Sequence, residues 1–198
     1  MMRRFVETIK VMDGVPMNLT YHQARLERTF RHFFVEVPPP PLEEFLSSAP
    51  GFGLCKARVV YGGMGVEEVQ YAPYALREIR TLRIVRDDKI DYSFKSADRT
   101  ELNRLAAQKG ECDEIIIVKN GLVTDTSFSN IAVFDGKRWI TPRHPLLMGV
   151  KRASLLEKSI LQEADITLGD LMKARKVSLV NAMLELGELE VAIENIRL

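Results

Sequence analysis

The chain has 198 residues, 46% hydrophobic and 28% charged, enough for one large domain or two small ones and outside the disordered, collagen-like and disulfide-scaffold classes. Its 28 basic and 27 acidic side chains leave a net charge of +1, which supplies no basic field for a polyanion, so no nucleic acid partner is expected. No apolar run reaches the roughly 18 residues of a membrane span, MMRRFVETIK lacks the apolar stretch of a leader, and Cys55 and Cys112 fit no metal or redox spacing; a cytoplasmic protein with two buried, reduced thiols and no membrane partner is expected.

Phe5, Glu7 and Ile9 alternate with Val6, Thr8 and Lys10 ahead of Asp13-Gly14, which predicts a strand entering a tight turn. Thr20-Tyr21-His22-Gln23 has the spacing of a capping box, and Leu26, Phe30 and Phe33 follow at helical spacing, so a helix with one apolar face is expected. Pro38 to Pro41 ends that helix and holds an extended connection before the short amphipathic LEEFLSSA. LCKARVVY and VEEVQYAPY flank Gly62-Gly63-Met64-Gly65 and predict an antiparallel hairpin. The mixed polarity of APYALREIR marks a boundary between a small N-terminal α/β domain over 1–77 and a C-terminal domain over 78–198.

In the second part, TLRIVRDDKIDYSF, EIIIVKNGLV and SNIAVFDGKRWIT predict strands, with hairpin turns at Asn120-Gly121 and Asp135-Gly136. SADRTELNRLAAQ predicts a helix after the β-like DYSF. Past Thr141-Pro142, the spacing of Val150, Ala153, Leu156 and Ile160 predicts one helix through GVKRASLLEKSILQEA. A short helix from about Asp170, the strand KVSLVNA and a strand-like VAIENIRL follow.

The candidate chemistry lies in YHQARLERT, in FKSADRTELNRL, in LVTDTSFSN, and in LLMGVKRASLL taken with VNAMLEL. Lys95 is a nucleophile once its amine is desolvated, although a lone lysine is ordinarily a solvated charge. Asp125 follows the strand-like LVT, where an aspartate can equally cap its own loop. Arg25 offers the bidentate fork that suits an anion. Gly149 and Val150 precede a helix, whose free amides favour a phosphate. His22, His32 and His144 have no ligand spacing, so no metal is expected, and Trp139 reads as packing.

Taken in order, these segments resemble the class IV aminotransferases, the fold-type-IV pyridoxal-phosphate enzymes that include branched-chain and D-amino-acid aminotransferases and aminodeoxychorismate lyase. The resemblance covers nearly the whole chain and is strongest over DEIIIVKNGLVTDTSFSNIAVFDGKRWITP. It implies an α+β fold, with a small N-terminal α/β sandwich domain plus a larger strand-rich C-terminal domain, the cofactor pyridoxal 5'-phosphate in the cleft between them, and a homodimer. Lys95 would form the Schiff base with the cofactor aldehyde and then move the substrate Cα proton. Asp125, where the family usually carries glutamate, would keep the pyridine nitrogen protonated.

By the same resemblance Arg25, Gly149 and Val150 bind the cofactor phosphate, and Lys151 brings an ammonium where transaminases carry threonine. Ser127 and Ser129 supply hydroxyls near the cofactor. Asn181 and Ala182 border it, and the Asn-Ala pair is more like the lyase than the branched-chain enzymes. Thr100 replaces a tyrosine that often follows the lysine; Arg99 is a candidate for that role or for the substrate carboxylate, with Arg58 and Arg4 as further carboxylate candidates. The family usually carries a strand and part of a substrate flap ahead of FVETIKV, so a more open pocket is expected. The implied function is an aminotransferase acting on a small amino acid or ketoacid, with two alternatives: aminodeoxychorismate lyase releasing pyruvate and 4-aminobenzoate, and a non-catalytic cofactor-binding scaffold.

Overall fold

In a computed structural model describing residues 3–51 and 53–198, the chain forms two compact units. The first runs through Leu76 and takes back Phe94–Asp98; the second comprises Arg77–Ser93 and Arg99–Leu198.

The first unit contains β1 (Phe5–Met12), β2 (Val15–Pro16), α1 (Leu19–Phe33), α2 (Leu42–Phe45), β3 (Leu54–Gly62) and β4 (Gly65–Pro73). Its antiparallel sheet has the order β2-β1-β3-β4. Asp13 and Gly14 both have positive φ, 49° and 80°, the backbone of a two-residue hairpin whose twist matches the strands. Phe5, Ile9 and Val11 pack with Ala57, Val59 and Tyr61 across the ladder and with Leu26 and Phe30 from α1, as period two in a strand and 3.6 in a helix require.

Two expectations fail in this unit. No capping box forms at Thr20, because α1 begins one residue earlier, behind Asn18 in the left-handed region (φ 54°), with no side-chain cap. DYSF is not a strand either. Phe94 instead sets its ring against Phe33, 4.8 Å away between centroids, and His32, 4.7 Å away. The next residues run beside β1, where Val6 N donates to the Lys95 carbonyl and Ala97 N to the Arg4 carbonyl, each at 2.9 Å. These contacts group 94–98 with the first unit, a return of the chain that a single cut at 77/78 does not describe.

The second unit contains β5 (Leu82–Arg86), α3 (Thr100–Ala106), β6 (Glu114–Lys119), β7 (Leu122–Val123), β8 (Asn130–Phe134), β9 (Trp139–Pro142), α4 (Val150–Glu157), β10 (Leu161–Ala164), α5 (Leu168–Lys173), β11 (Lys176–Val180), β12 (Glu190–Ala192) and β13 (Ile196–Arg197). They build two mixed sheets, β13-β5-β6-β7 and β10-β9-β8-β11-β12. Alternation along the strands assigns the faces. Ile116 and Val118 join Ile131, Val133, Val177 and Leu179 in a core shared by both sheets. Ile115 and Ile117 turn the other way onto Leu102 and Leu105 of α3, and Ala132 and Val180 onto Leu155.

The single helix expected through residue 164 ends at Glu157. Ser159 takes a left-handed conformation (φ 56°), and Leu161–Ala164 pairs in parallel with β9, so Ile160 is 45% exposed rather than on a helix face. Both cysteines are free and buried. Among the described residues no helix is long and apolar enough to cross a membrane.

Candidate functional site

In the first unit, β1 delivers a carboxylate to α1. Glu7 occupies the core-facing row between Phe5 and Ile9, opposite Val59, and is completely buried. Arg25 donates to it from Nε at 2.9 Å and from Nη2 at 2.5 Å, and His22 Nδ1 lies 2.6 Å from its second oxygen. Burial alone would raise the Glu7 pKa, but the charge of Arg25 and the bonds from His22 and Arg25 outweigh it and hold the group at about 2. An ionised carboxylate only accepts, so Nδ1 of His22 carries the proton. Burial, together with the charges of Arg25 and Lys95, lowers the His22 pKa against the pull of Glu7 and favours the neutral ring. Its Nε2 is buried with no hydrogen-bond partner among the described residues.

Lys95 belongs to this unit and is half-buried. Its backbone is fixed on β1 through Val6. Arg25 is 7% exposed, not the exposed helical arginine that its residue type suggests. The structure does not gather Arg4 and Arg58 with it. Arg4, its side chain 63% exposed, pairs with Glu67 at 2.7 Å, and Arg58 with Glu68 at 3.7 Å. Glu7 went unrecognised as a site residue in the sequence; the available signal was a glutamate in phase with Phe5 and Ile9 on the apolar side of its strand.

In the second unit the loop between β7 and β8 holds Asp125 inside the protein, 4% exposed. Asn130 Nδ2 donates to Oδ1 and Leu147 N to Oδ2, each at 2.8 Å. Burial raises this carboxyl to about 7, while the two donated bonds and the Arg152 charge act in the opposite direction. Ser129 Oγ lies 2.7 Å from Thr126 Oγ1 and closes the loop on itself. Ser127 N donates to Glu114 Oε1 at 3.3 Å, and the Ser127 carbonyl accepts from Arg99 Nη2 at 2.7 Å. Asn181 Nδ2 reaches the Phe128 carbonyl at 3.3 Å while its Oδ1 accepts from Met183 N and Leu184 N, so the turn carrying Ala182 is tied to the same loop.

Gly149 precedes α4 in an extended conformation, and a Cβ there would overlap the Asn130 side-chain oxygen. Lys151, 7% exposed, lies in the first turn of α4 and gives its ammonium to both oxygens of Glu185 at 2.7 Å. The structure thus brings Asp125, Ser127, Ser129, Asn181, Gly149 and Arg99 into one bonded neighbourhood of the second unit, with Asn130 as an unforeseen member. Among the described residues no group of three or more His, Cys, Asp or Glu could hold a metal ion.

The chemistry of these donors fits pyridoxal phosphate. The first unit offers a primary amine at Lys95, a buried guanidinium at Arg25 and the orphaned Nε2 of His22. The second offers a buried carboxyl held by neutral donors and the open amides of a helix start. Among known proteins, a family model for amino-transferase class IV matches residues 65–189. An uncharacterised protein of Haemophilus influenzae is 34% identical over 190 residues, covering 89% of this chain and 96% of that one. A solved structure from Haemophilus somnus 129PT, named as a candidate 4-amino-4-deoxychorismate lyase, is 37% identical with a TM-score of 0.87, covering 93% of this chain and 98% of that one. The pyridoxal-phosphate-bound form of a hypothetical aminotransferase from Mycobacterium tuberculosis shares the fold at 18% identity and a TM-score of 0.77, covering 98% of this chain and 81% of that one.

Proposed function

The chain belongs to the amino-transferase class IV family, whose fold-type-IV architecture it has, and on that premise we propose that it is a pyridoxal-phosphate enzyme with Lys95 as its cofactor lysine. The observation that carries this reading is the Asp125 carboxyl, buried and held by the neutral donors Asn130 and Leu147. A buried carboxyl raised to about 7 is poorly compensated until a cation joins it, and a protonated pyridine nitrogen is such a cation.

Bound there, the cofactor supplies an aldehyde and an electron-withdrawing ring. Asp125 holds the proton on the ring nitrogen. The amides opening α4 and the Arg25 guanidinium would bind the phosphate, Arg25 being itself held by Glu7. Lys95 Nζ would hold the cofactor and would move the substrate proton. Arg99, anchored on the Ser127 carbonyl, is placed in this reading as the group that meets the substrate carboxylate.

The lyase reading, release of pyruvate and 4-aminobenzoate from aminodeoxychorismate, is favoured by the nearly full-length likeness to the Haemophilus somnus protein and by Ala182 in place of threonine. A transaminase acting on a small amino acid is the second reading, supported by the family to which residues 65–189 belong. A homodimer is part of the proposal and is read by sedimentation.

Borohydride reduction with pyridoxal phosphate, followed by peptide mapping, tests the cofactor assignment. The expected result is a pyridoxyl group on Lys95 in the wild type and none in Lys95→Ala. Pyruvate formed without a ketoacid acceptor supports the lyase, and turnover that requires one supports the transaminase. Labelling spread over surface lysines, with neither activity, overturns both in favour of a scaffold.

A further inference from the structure

Asn130 opens β8 with its backbone fixed on both sides. It pairs with Val180 of β11 and makes a bridge to Asp125. Its side chain joins three segments. Nδ2 donates to Asp125 Oδ1 and to the Leu147 carbonyl, each at 2.8 Å, so both amide hydrogens are engaged. Leu147 N completes the ring by donating to Asp125 Oδ2 at 2.8 Å. Reversing the amide would set an oxygen against two acceptors, so its orientation is fixed by its partners. Oδ1 therefore turns toward Gly149, where a Cβ would overlap it and meet Cγ at 3.0 Å. Two residues after Leu147 the chain reaches Gly149, the residue immediately before α4, so the amide is wedged between the carboxyl and the helix start.

We infer that Asn130 is a positioning residue that locks the Asp125 carboxyl to the amide start of α4, so that one side chain sets both ends of a single bound cofactor. Its meaning for the cofactor rests on the function proposed above, whereas the coupling belongs to the chain itself. A shared rigid support has a specific consequence: a Cβ at Gly149 meets the Asn130 amide first, so the part of the disturbance that Asn130 transmits to Asp125 disappears when Asn130 is truncated, while the Leu147 N–H bond remains in both backgrounds. Arg152, in α4, also acts on the Asp125 charge and is left in place in every variant below.

The test is a double-mutant cycle on apoprotein, following the Asp125 carboxyl by infrared spectroscopy with carbon-13 aspartate. Gly149→Ala displaces the Asn130 amide and removes a donated bond from the carboxylate, so the titration moves up by about one pH unit. Asn130→Ala alone produces a similar rise. Added to Asn130→Ala, the Gly149 substitution produces no further rise, because the coupling element is already absent. A core variant such as Val133→Ala, which lowers the melting temperature without touching this ring, leaves the titration unchanged.

If Gly149→Ala alone does not fold, the double variant is expected to fold, since truncating Asn130 makes room for the new Cβ. In Asn130→Ala the first-turn amides of α4 exchange faster than in wild type. An unmoved Asp125 titration in Asn130→Ala, an equal Gly149→Ala shift in both backgrounds, or unchanged α4 exchange overturns the coupling. In holoprotein, Asn130→Ala weakens pyridoxal phosphate binding roughly tenfold, the usual cost of leaving one buried polar group unpaired. Wild-type affinity in that variant overturns the positioning role. A wild type that does not take the cofactor on Lys95 overturns the proposed function instead, a result read on different protein by a different method.

Discussion

Asp125 is the residue where the proposed function and stability oppose each other most directly. Its carboxyl sits at about 7 in the folded chain against 3.8 as a free side chain, so the unfolded chain ionises first as pH rises. Stability is therefore lost between about pH 4 and pH 7. Asp125→Asn removes that ionisation but sets its NH2 against one of the two donors, Asn130 Nδ2 or Leu147 N. The fall in apoprotein stability between about pH 4 and pH 8 is therefore expected to disappear while turnover falls to background, as measured by urea unfolding at several pH values beside an activity assay. A variant that keeps the wild-type pH slope sinks this account. Glu7 is the contrary case. Glu7→Ala leaves Arg25 buried without its counter-charge and is expected to cost about 3–5 kcal/mol, whereas a surface pair such as Arg4 with Glu67 is worth less than about 1 kcal/mol; parallel urea titrations of the two variants rank them. Lys95, Arg25 and Asp125 could be singled out as candidates in the sequence because each stands in a short local pattern. Their partners were not, since Glu7 reaches Arg25 across 18 residues and Asn130 reaches Leu147 across 17, distances over which spacing carries no information.

Elements were legible where a local backbone rule decides them. Asn120-Gly121, both with positive φ at 51° and 78°, turns β6 into β7, as the same chemistry at Asp13-Gly14 turns β1 into β2. The helix starts show where such rules compete. Thr20 has the right spacing for a capping box, but the left-handed Asn18 starts α1 before Thr20 can serve. The box forms instead at α5, where Thr167 Oγ1 accepts from Asp170 N at 3.2 Å and the Asp170 carboxylate accepts from Thr167 N at 3.0 Å. Thr167→Ala is expected to cost about 1 kcal/mol and Thr20→Ala less than about 0.5 kcal/mol, a difference readable in thermal melts of the two variants. Equal losses would mean that spacing, not geometry, selects the cap. The parallel pairs β5 with β6 and β9 with β10 were illegible for a different reason. Leu161–Ala164 carries an ordinary helical pattern, and the unpaired edge of β9, a tertiary feature, makes it a strand.

Across the described residues, the buried groups whose shifts fall between about pH 2 and pH 7 divide between the units with opposite signs. In the first unit, Glu7 is held at about 2 against 4.5 and His22 below its ordinary 6.5. As pH falls below 6.5 the unfolded chain takes up the His22 proton first, and below 4.5 the Glu7 proton, so acid weakens this unit. In the second unit the raised Asp125 carboxyl makes acid strengthening and base weakening between about pH 4 and pH 7. The half-buried carboxylates Asp87 and Asp113 and the exposed Asp135 and Asp170, lowered from 3.8 mainly by hydrogen bonds, act only below that window. Two site-resolved probes separate the units. Trp139, the single tryptophan, reports the second unit from β9, and amide exchange in β1 and β3 reports the first. From pH 7.5 to pH 5 the urea midpoint of Trp139 fluorescence in apoprotein is expected to rise while protection of the β1 and β3 amides falls, and in Asp125→Asn the Trp139 midpoint no longer rises. Midpoints moving together with the same slope, in wild type and Asp125→Asn alike, would show that these groups do not set the profile. The opposed slopes also fix where binding matters most. Near neutral pH the second unit carries the full cost of an empty Asp125 site, so a cation seated on that carboxyl stabilises the second unit more than the first, and the gain shrinks as acid protonates Asp125.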